Sequence, residues 1–207
     1  VHSIGTTAHA IKADSASLST PSTIVASTLK AFETEYLDIL VNNAGLGSKV
    51  KTLEEITMEE YNEIMDINVR FLIFMAQAFI SYIRPHSAGR IVNLSSISAR
   101  GGYATQSVYA ASKAAVEGLT RVWATELGHK YGVTVNCVNP GPVDTDMYRS
   151  SGDTHLRRME EQNKMTPAAP RAGSVVDIGD IVAMLCEERS RWITGDVVCA
   201  NGGVVFT

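Results

Sequence analysis

Short apolar runs alternate along the chain with longer stretches in which apolar residues recur at helical spacing. Residues His9 to Ala13 alternate as a strand would, ending at Asp14, and a Ser/Thr/Pro-rich turn follows through Pro21. Ser22 to Glu35 reads as a helix. Leu37-Asp-Ile-Leu-Val-Asn42 is a mostly apolar run broken by Asn43-Ala44-Gly45, as expected for a buried parallel strand that ends in a loop. Thr57 with Glu60 makes a capping box that opens a helix reaching about Ile83. Arg90 to Ser95 is the next strand. A long helix follows from Tyr109 to Lys130, with Ala114, Val116, Leu119, Val122, Trp123 and Leu127 at helical spacing and Gly132 as its stop. Val133 to Val138 is a strand closed by Asn139-Pro140-Gly141. Val143 to Ala172 is polar, methionine-rich and only loosely helical. Asp177 to Glu188 reads as a helix and Gly195 to Cys199 as the last strand, before Asn201-Gly202-Gly203.

This alternation predicts an α/β fold, a parallel sheet with helices on both faces. The length, 207 residues, fits a single domain over 1–207. Ligands of such sheets bind beyond the carboxyl ends of the strands. Asp14, Asn43–Gly45, Ser96 and Pro140–Gly141 each follow a strand, so groups distant in sequence converge on one edge.

Composition removes several function classes. Lys and Arg total 18 against 22 Asp and Glu, for a net charge of −4 with no basic stripe, so nucleic acid is not an expected partner. Phe71 to Ile83 is the longest apolar candidate, interrupted by Gln77 and Ser81. It falls short of the roughly 20 residues a membrane span needs and reads as a buried helix. Cys137, Cys186 and Cys199 lie far apart without metal-ligand spacing. They read as small core residues in a reducing, cytoplasmic compartment, with no metal site.

The candidate chemistry lies between Ser96 and Lys113. A hydroxyl, Ser96, sits where a strand ends, and Tyr109 and Lys113 sit at i and i+4 on one helix face. A free phenol has a pKa of roughly 10, and a cation one turn away favours the phenolate, which makes the tyrosine a usable proton donor near neutrality. Taken alone, a Tyr-x-x-x-Lys pair reads more readily as an ordinary surface pair on an amphipathic helix, a pattern common by accident.

The wider set changes that. Asn42-Asn43-Ala44-Gly45, Asn68, Ser96, Tyr109-x-x-x-Lys113 and Pro140-Gly141-x-Val143-x-Thr145 follow in the order and spacing of the short-chain dehydrogenase/reductase family, which the chain resembles along essentially its whole length. The resemblance implies a Rossmann-like doubly wound parallel sheet. It also implies an NADP- or NAD-dependent oxidoreductase that passes a hydride between the nicotinamide and a small carbonyl or secondary alcohol substrate. Among the family's branches, the 3-oxoacyl-carrier-protein reductase-like ketoreductases are nearest in motif. Tyr109 is then the expected proton donor, Lys113 the group that lowers its pKa and holds the nicotinamide ribose, and Ser96 the hydroxyl that binds the substrate oxygen. Asn68 resembles the asparagine that holds a water on the proton path, against a reading as a mid-helix polar residue facing solvent. Ser95 competes with Ser96; adjacent strand residues point to opposite faces.

For the cofactor, the resemblance assigns Asp14 to the adenine, with a turn aspartate as the alternative. Asn43, Ala44 and Gly45 fall at the adenosine ribose, and Pro140, Gly141, Val143 and Thr145 at the nicotinamide. Asn42 reads as a tie between strands. Met147, Tyr148, Met159 and Met165 read either as an adaptable lid or as ordinary packing, and Arg100 as a partner for an acidic substrate group. The family's habit of pairing through helices near 57–83 and 109–130 implies a homodimer or homotetramer. Asn201 stands where the family usually has aspartate.

The family's opening strand and Thr-Gly-x-x-x-Gly-x-Gly turn, whose amides and helix N-terminus hold the pyrophosphate, have no counterpart in this sequence. Val1-His-Ser-Ile-Gly5 resembles the late part of the family's second helix. The first two strands and the helix between them, on the order of 50 residues, are therefore lacking. Their loss is expected to detach the His9–Ala13 strand and to leave Asp38–Asn42 as an exposed apolar edge. The sequence is accordingly expected to be part of a longer polypeptide. The alternative is an N-terminally truncated family member that keeps the fold as a non-redox binding, cyclising or assembly subunit.

Overall fold

The computed structural model of the chain describes residues 5–47, 49–84 and 88–206. Among them, β1 (Ile39–Asn42), β2 (Gly89–Leu94), β3 (Val133–Pro140) and β4 (Val197–Ala200) form one sheet in that order, every pairing parallel. Side chains alternate across it. Ile91 of β2 and Val133, Val135 and Cys137 of β3 face α3 (Phe71–Ile80) and α4 (Ser107–Tyr131), meeting Leu72, Phe79, Val116 and Leu127. Val92, Leu94 and Val138 face the other way, onto Leu185 of α7 (Val175–Cys186). Helices on both faces explain why every residue of β2 is buried, Arg90 and Asn93 included.

The exposed edge is where the sequence places it: Ile39 and Val41 of β1 are 49 % and 41 % exposed. The preceding strand is not. Residues 6–14 form no strand and are almost wholly exposed, because alternation alone cannot supply the neighbour a ladder requires. The chain then folds onto the helical layer: Thr20 donates to the Asp14 carbonyl at 2.6 Å, and Arg70 donates to the Ala16 carbonyl at 2.9 Å. The first helix, α1 (Thr20–Ala31), has Pro21 in its first turn and stops short of Glu35, and Glu33 beyond it takes a left-handed φ of 48°. Of the opening segment likened to a helix end, Val1–Ile4 lies outside the described residues.

The long helix expected from Thr57 is continuous but not uniform. It runs through α2 (Met58–Met65), a π-helical turn (Asp66–Arg70) and α3. Only half of the expected capping box forms. Thr57 accepts from the Glu60 amide at 3.2 Å, but the Glu60 carboxylate turns to Lys51 at 2.7 Å. Complete boxes occur instead at Thr52/Glu55 and Ser174/Asp177. At the far end of α4, Gly132 closes the helix with a φ of 69°. The loosely helical stretch resolves into α5 (Asp146–Arg149) and α6 (Asp153–Lys164). The cysteines divide: Cys137 is in the core, Cys186 is half-buried and Cys199 is exposed, so the core reading holds for Cys137 alone. No described helix is long and apolar enough to cross a membrane.

Candidate active site

Because the strands are parallel, the segments leaving β1, β2 and β3 emerge on the same edge. Leu94 ends β2, and Ser95 continues the ladder by donating its amide to the Val138 carbonyl at 2.8 Å. The two serines then diverge. Ser95 is buried against α4, with Oγ 3.0 Å from Glu117 Oε1 and 3.2 Å from the Lys113 carbonyl. Ser96 caps a short 3₁₀ turn over Ile97–Ala99, accepting from the Ser98 amide at 3.1 Å and donating to Ser98 Oγ at 3.2 Å, and it stands close enough to the Tyr109 hydroxyl to favour the phenolate. The choice of Ser96 over Ser95 thus has a geometric counterpart: only Ser96 meets the phenol.

Tyr109 is half-buried in the first turn of α4, where the helix dipole favours an anion. Lys113, one turn on, is 6 % exposed, donates to the Leu94 carbonyl at 2.8 Å, and holds its ammonium 5.8 Å from the Tyr109 ring centre. Burial dominates both groups. It pulls the Lys113 ammonium down to about 8. It also pushes the Tyr109 phenol above its ordinary value, with the Ser96 hydrogen bond only partly offsetting it. The i+4 spacing predicts a lysine that makes the phenol more acidic; in the fold, burial raises the phenol instead.

Asn68 lies on the π-helical turn and is 2 % exposed, which rules out the solvent-facing reading. Its Oδ1 accepts from the Leu46 amide at 2.7 Å, and its Nδ2 donates to the Leu46 carbonyl at 2.9 Å and to Ser112 Oγ at 3.0 Å. Asn68 therefore pins the loop that leaves β1 to helix α4. Within that loop Asn43 and Ala44 are exposed, and Gly45 lies so close that an added Cβ would stand 3.3 Å from Asn68 Oδ1 and 3.4 Å from Lys113 Nζ. Only a glycine leaves this open beside the lysine. Across the edge, Gly141 packs on Asn201, whose Cβ would lie 3.2 Å from a Cβ at 141. Pro140, Gly141, Val143 and Thr145 are all half-buried, and Thr145 caps α5 by accepting from the Tyr148 amide at 3.2 Å.

Other expected residues sit differently. Asp14 is exposed, and its carboxylate accepts from the Ala16 amide at 2.9 Å, the geometry of a turn aspartate. Arg100 is not turned toward a ligand: its Nε donates to Glu117 Oε2 at 2.9 Å. Asn42 donates to Asn93 Oδ1 at 2.9 Å and ties β1 to β2 as read. Of the methionines, Met147 reaches the β1 loop, its sulfur 3.7 Å from where a Gly47 Cβ would sit, while Met165 is 76 % exposed. A cavity of about 300 Å³ between Gly141–Pro142, Asn163, Arg171 and Ile178 is lined by none of Ser96, Tyr109 or Lys113, so the reacting groups lie outside it. Sequence reasoning missed Glu117 and Asn139, which are buried behind Ser96. The available signal was a carboxylate four residues beyond Lys113 on the same helix face as Tyr109.

Comparison with known proteins places the chain as a whole. A family model described as enoyl-(acyl carrier protein) reductase matches residues 1–205. The short-chain dehydrogenase/reductase FrzI of a Cladobotryum species is 50 % identical over 99 % of this chain and 79 % of its own length. L-xylulose reductase of Aspergillus niger is 36 % identical over 93 % of this chain and 78 % of its own. Among solved structures, a blue fluorescent protein from a metagenomic library, in complex with NADPH, superimposes with a TM-score of 0.87 at 37 % identity, covering 99 % of this chain and 79 % of that one. A serine, a tyrosine and a lysine gathered at the open edge of a parallel sheet, in a chain matched along its whole length by such relatives, place this protein in the short-chain dehydrogenase/reductase family of oxidoreductases.

Proposed function

We propose that the protein reduces a small carbonyl compound to a secondary alcohol, reversibly, with Tyr109 delivering the proton and NADP(H) as the coenzyme. The observation that carries the reading is the meeting of Ser96, Tyr109 and Lys113 at one edge of the sheet, with the open backbone of Gly45 against Lys113. The nicotinamide, when bound, supplies or takes the hydride. Gly45 and Lys113 fit its ribose side, with Asn43 and Ala44 further along the same loop. Pro140, Gly141, Val143 and Thr145 fit the nicotinamide itself.

The rest belongs to this chain's own side chains. Ser96 Oγ hydrogen-bonds the carbonyl oxygen and favours the charge that grows on it. The Tyr109 hydroxyl donates its proton to that oxygen. The Lys113 ammonium stabilises the phenolate left behind, against a burial that disfavours it. Asn68 holds the Gly45 loop and Ser112 together, and is the residue suited to order a water on the route by which the proton is replaced. Likeness to the NADPH-bound fluorescent protein favours NADP(H) over NAD(H). Exposed Tyr61, Phe74 and Val122 on the outer faces of α2, α3 and α4 favour pairing of two or four copies through those helices.

The test is a fluorescence titration of the intact protein with NADPH and NADH, followed by coenzyme oxidation against a panel of ketoses and aromatic ketones. The expected result is saturable binding of NADPH, at least about tenfold tighter than NADH (about 1.4 kcal/mol), with turnover of at least one ketone. Saturation with neither coenzyme would overturn the reductase reading, and equal binding would overturn only the coenzyme preference.

A further inference from the structure

Behind Ser96 lies a second buried polar cluster that touches neither the phenol nor the ammonium. Its centre is Glu117, 5 % exposed on the inner face of α4. A carboxylate in such a place is strongly disfavoured unless several donors compensate it. Three do: Ser95 Oγ at 3.0 Å and Asn139 Nδ2 at 2.8 Å reach Oε1, and Arg100 Nε reaches Oε2 at 2.9 Å. Asn139, fully buried at the end of β3, donates its other amide proton to the Ser96 carbonyl at 2.8 Å. Both Nδ2 protons therefore meet oxygens, and a flipped amide would set oxygen against oxygen, so the orientation is fixed. The arrangement leaves Asn139 Oδ1 buried without a partner. Such an orphan is tolerated only where something else is gained.

The gain is geometric. Ser96 belongs to the segment leaving β2, whereas Tyr109 and Lys113 belong to α4. The two elements are joined at this point by Asn139, which donates to the Ser96 carbonyl and to Glu117, by Ser95, whose one hydroxyl proton is shared between Glu117 Oε1 and the Lys113 carbonyl, and by Arg100 closing back onto Glu117. We propose that Arg100, Glu117 and Asn139 are positioning residues for the reaction: they clamp the Ser96 main chain to the helix that carries Tyr109 and Lys113. This rests on the function proposed above. The clamp holds the hydroxyl, the phenol and the substrate oxygen in one geometry, and a displacement on the scale of an ångström is enough to slow such a reaction by orders of magnitude.

The experiment compares Glu117→Gln, Asn139→Ala, Arg100→Met and Arg100→Lys with a matched buried control, Thr120→Val. Thr120 lies on the same helix and bonds Asn93 at 3.0 Å, in a separate network. At a temperature well below every melting point, Glu117→Gln, Asn139→Ala and Arg100→Met are expected to lose roughly 10- to 100-fold in kcat. KM for coenzyme and ketone should stay within about threefold, the pattern of an interaction felt only at the transition state. Arg100→Lys should keep most of the rate. Thr120→Val should lower the melting temperature without lowering kcat. Amide hydrogen exchange gives a readout independent of turnover. The Ser98 amide, bonded to Ser96 Oγ, should exchange about tenfold faster in Glu117→Gln and Asn139→Ala but not in Thr120→Val.

A kcat for Glu117→Gln within about threefold of the parent, or losses that simply track melting temperature across the set including Thr120→Val, overturns the clamp. Should Glu117→Gln not fold, Arg100→Met, whose side chain is 25 % exposed, carries the same comparison. Tyr109→Phe in the same panel separates the two failures. If it abolishes turnover while Glu117→Gln does not slow it, only the clamp is wrong. If Tyr109→Phe itself remains active, the assignment of the site is wrong and the clamp falls with it.

Discussion

Lys113→Met is expected to abolish turnover while leaving the folded chain more stable at neutral pH. Burial holds the native Lys113 ammonium down to about 8, whereas an unfolded lysine keeps roughly 10.4. Below about pH 8 both states carry the proton and the native state bears the whole desolvation penalty, on the order of 3 kcal/mol. Between about 8 and 10.4 the unfolded chain binds a proton that the native chain does not, so stability climbs with pH across that window. Methionine removes the penalty but leaves the Leu94 carbonyl without its 2.8 Å partner, a loss of about 1–3 kcal/mol. The balance is a gain of about 1 kcal/mol, a rise of about 2–4 °C in melting temperature for a chain of this size. Turnover should fall by roughly 10²- to 10⁴-fold, because no cation then supports the phenolate. Denaturant melts at several pH values decide it. A variant less stable than the parent at pH 7, with no rise in parental stability above pH 8, would mean that Lys113 is not strained by its surroundings.

Tyr109→Phe removes one oxygen and should remove most of the rate, roughly 10³- to 10⁴-fold in kcat/KM for ketone reduction. Coenzyme affinity should change little, since the ring that fills the first turn of α4 remains. The parent's pH profile carries the complementary signature. Reduction needs a protonated Tyr109 and a charged Lys113, and the lysine is the first of the two to lose its proton as pH rises. The reductive kcat/KM should therefore be flat below about 8 and fall above it, while oxidation of the alcohol, which starts from the phenolate, should gain. A reductive rate that keeps rising through that range would place the proton donor elsewhere.

The middle of the sheet was legible because β2 and β3 are buried on both faces and read as largely apolar runs ending in Ser and in Asn-Pro-Gly. The His9–Ala13 segment misled for the same reason in reverse: its pattern suits a strand, but a strand is a property of two segments. The π-helical turn left no trace, since Asp66-Ile-Asn-Val-Arg70 contains neither glycine nor proline. It exists alongside the hold of Asn68 on the Leu46 backbone, a long-range contact no local pattern encodes. The site's reacting groups were visible as a spacing, because Tyr109 and Lys113 share one helix turn. Their protonation was not, since burial depends on what packs over them. Glu117 shows the limit most clearly. In sequence it is an ordinary i+4 partner for a lysine; in the fold it turns from Lys113 toward Arg100, Ser95 and Asn139.

The extra residue in the helix that carries Asn68 also fixes how the chain can change in length. Deleting any one position from Asp66 to Arg70 would let the helix return to regular winding without losing a turn. Five residues in a π turn wind through nearly the angle that four take in an α-helix, so the faces of α2 and α3 would keep their relation. The loss would fall on the turn itself, where Asn68 would be drawn off the Gly45 loop. Single-residue shortening here would thus cost the site rather than the fold, although it would bring the backbone closer to the ideal.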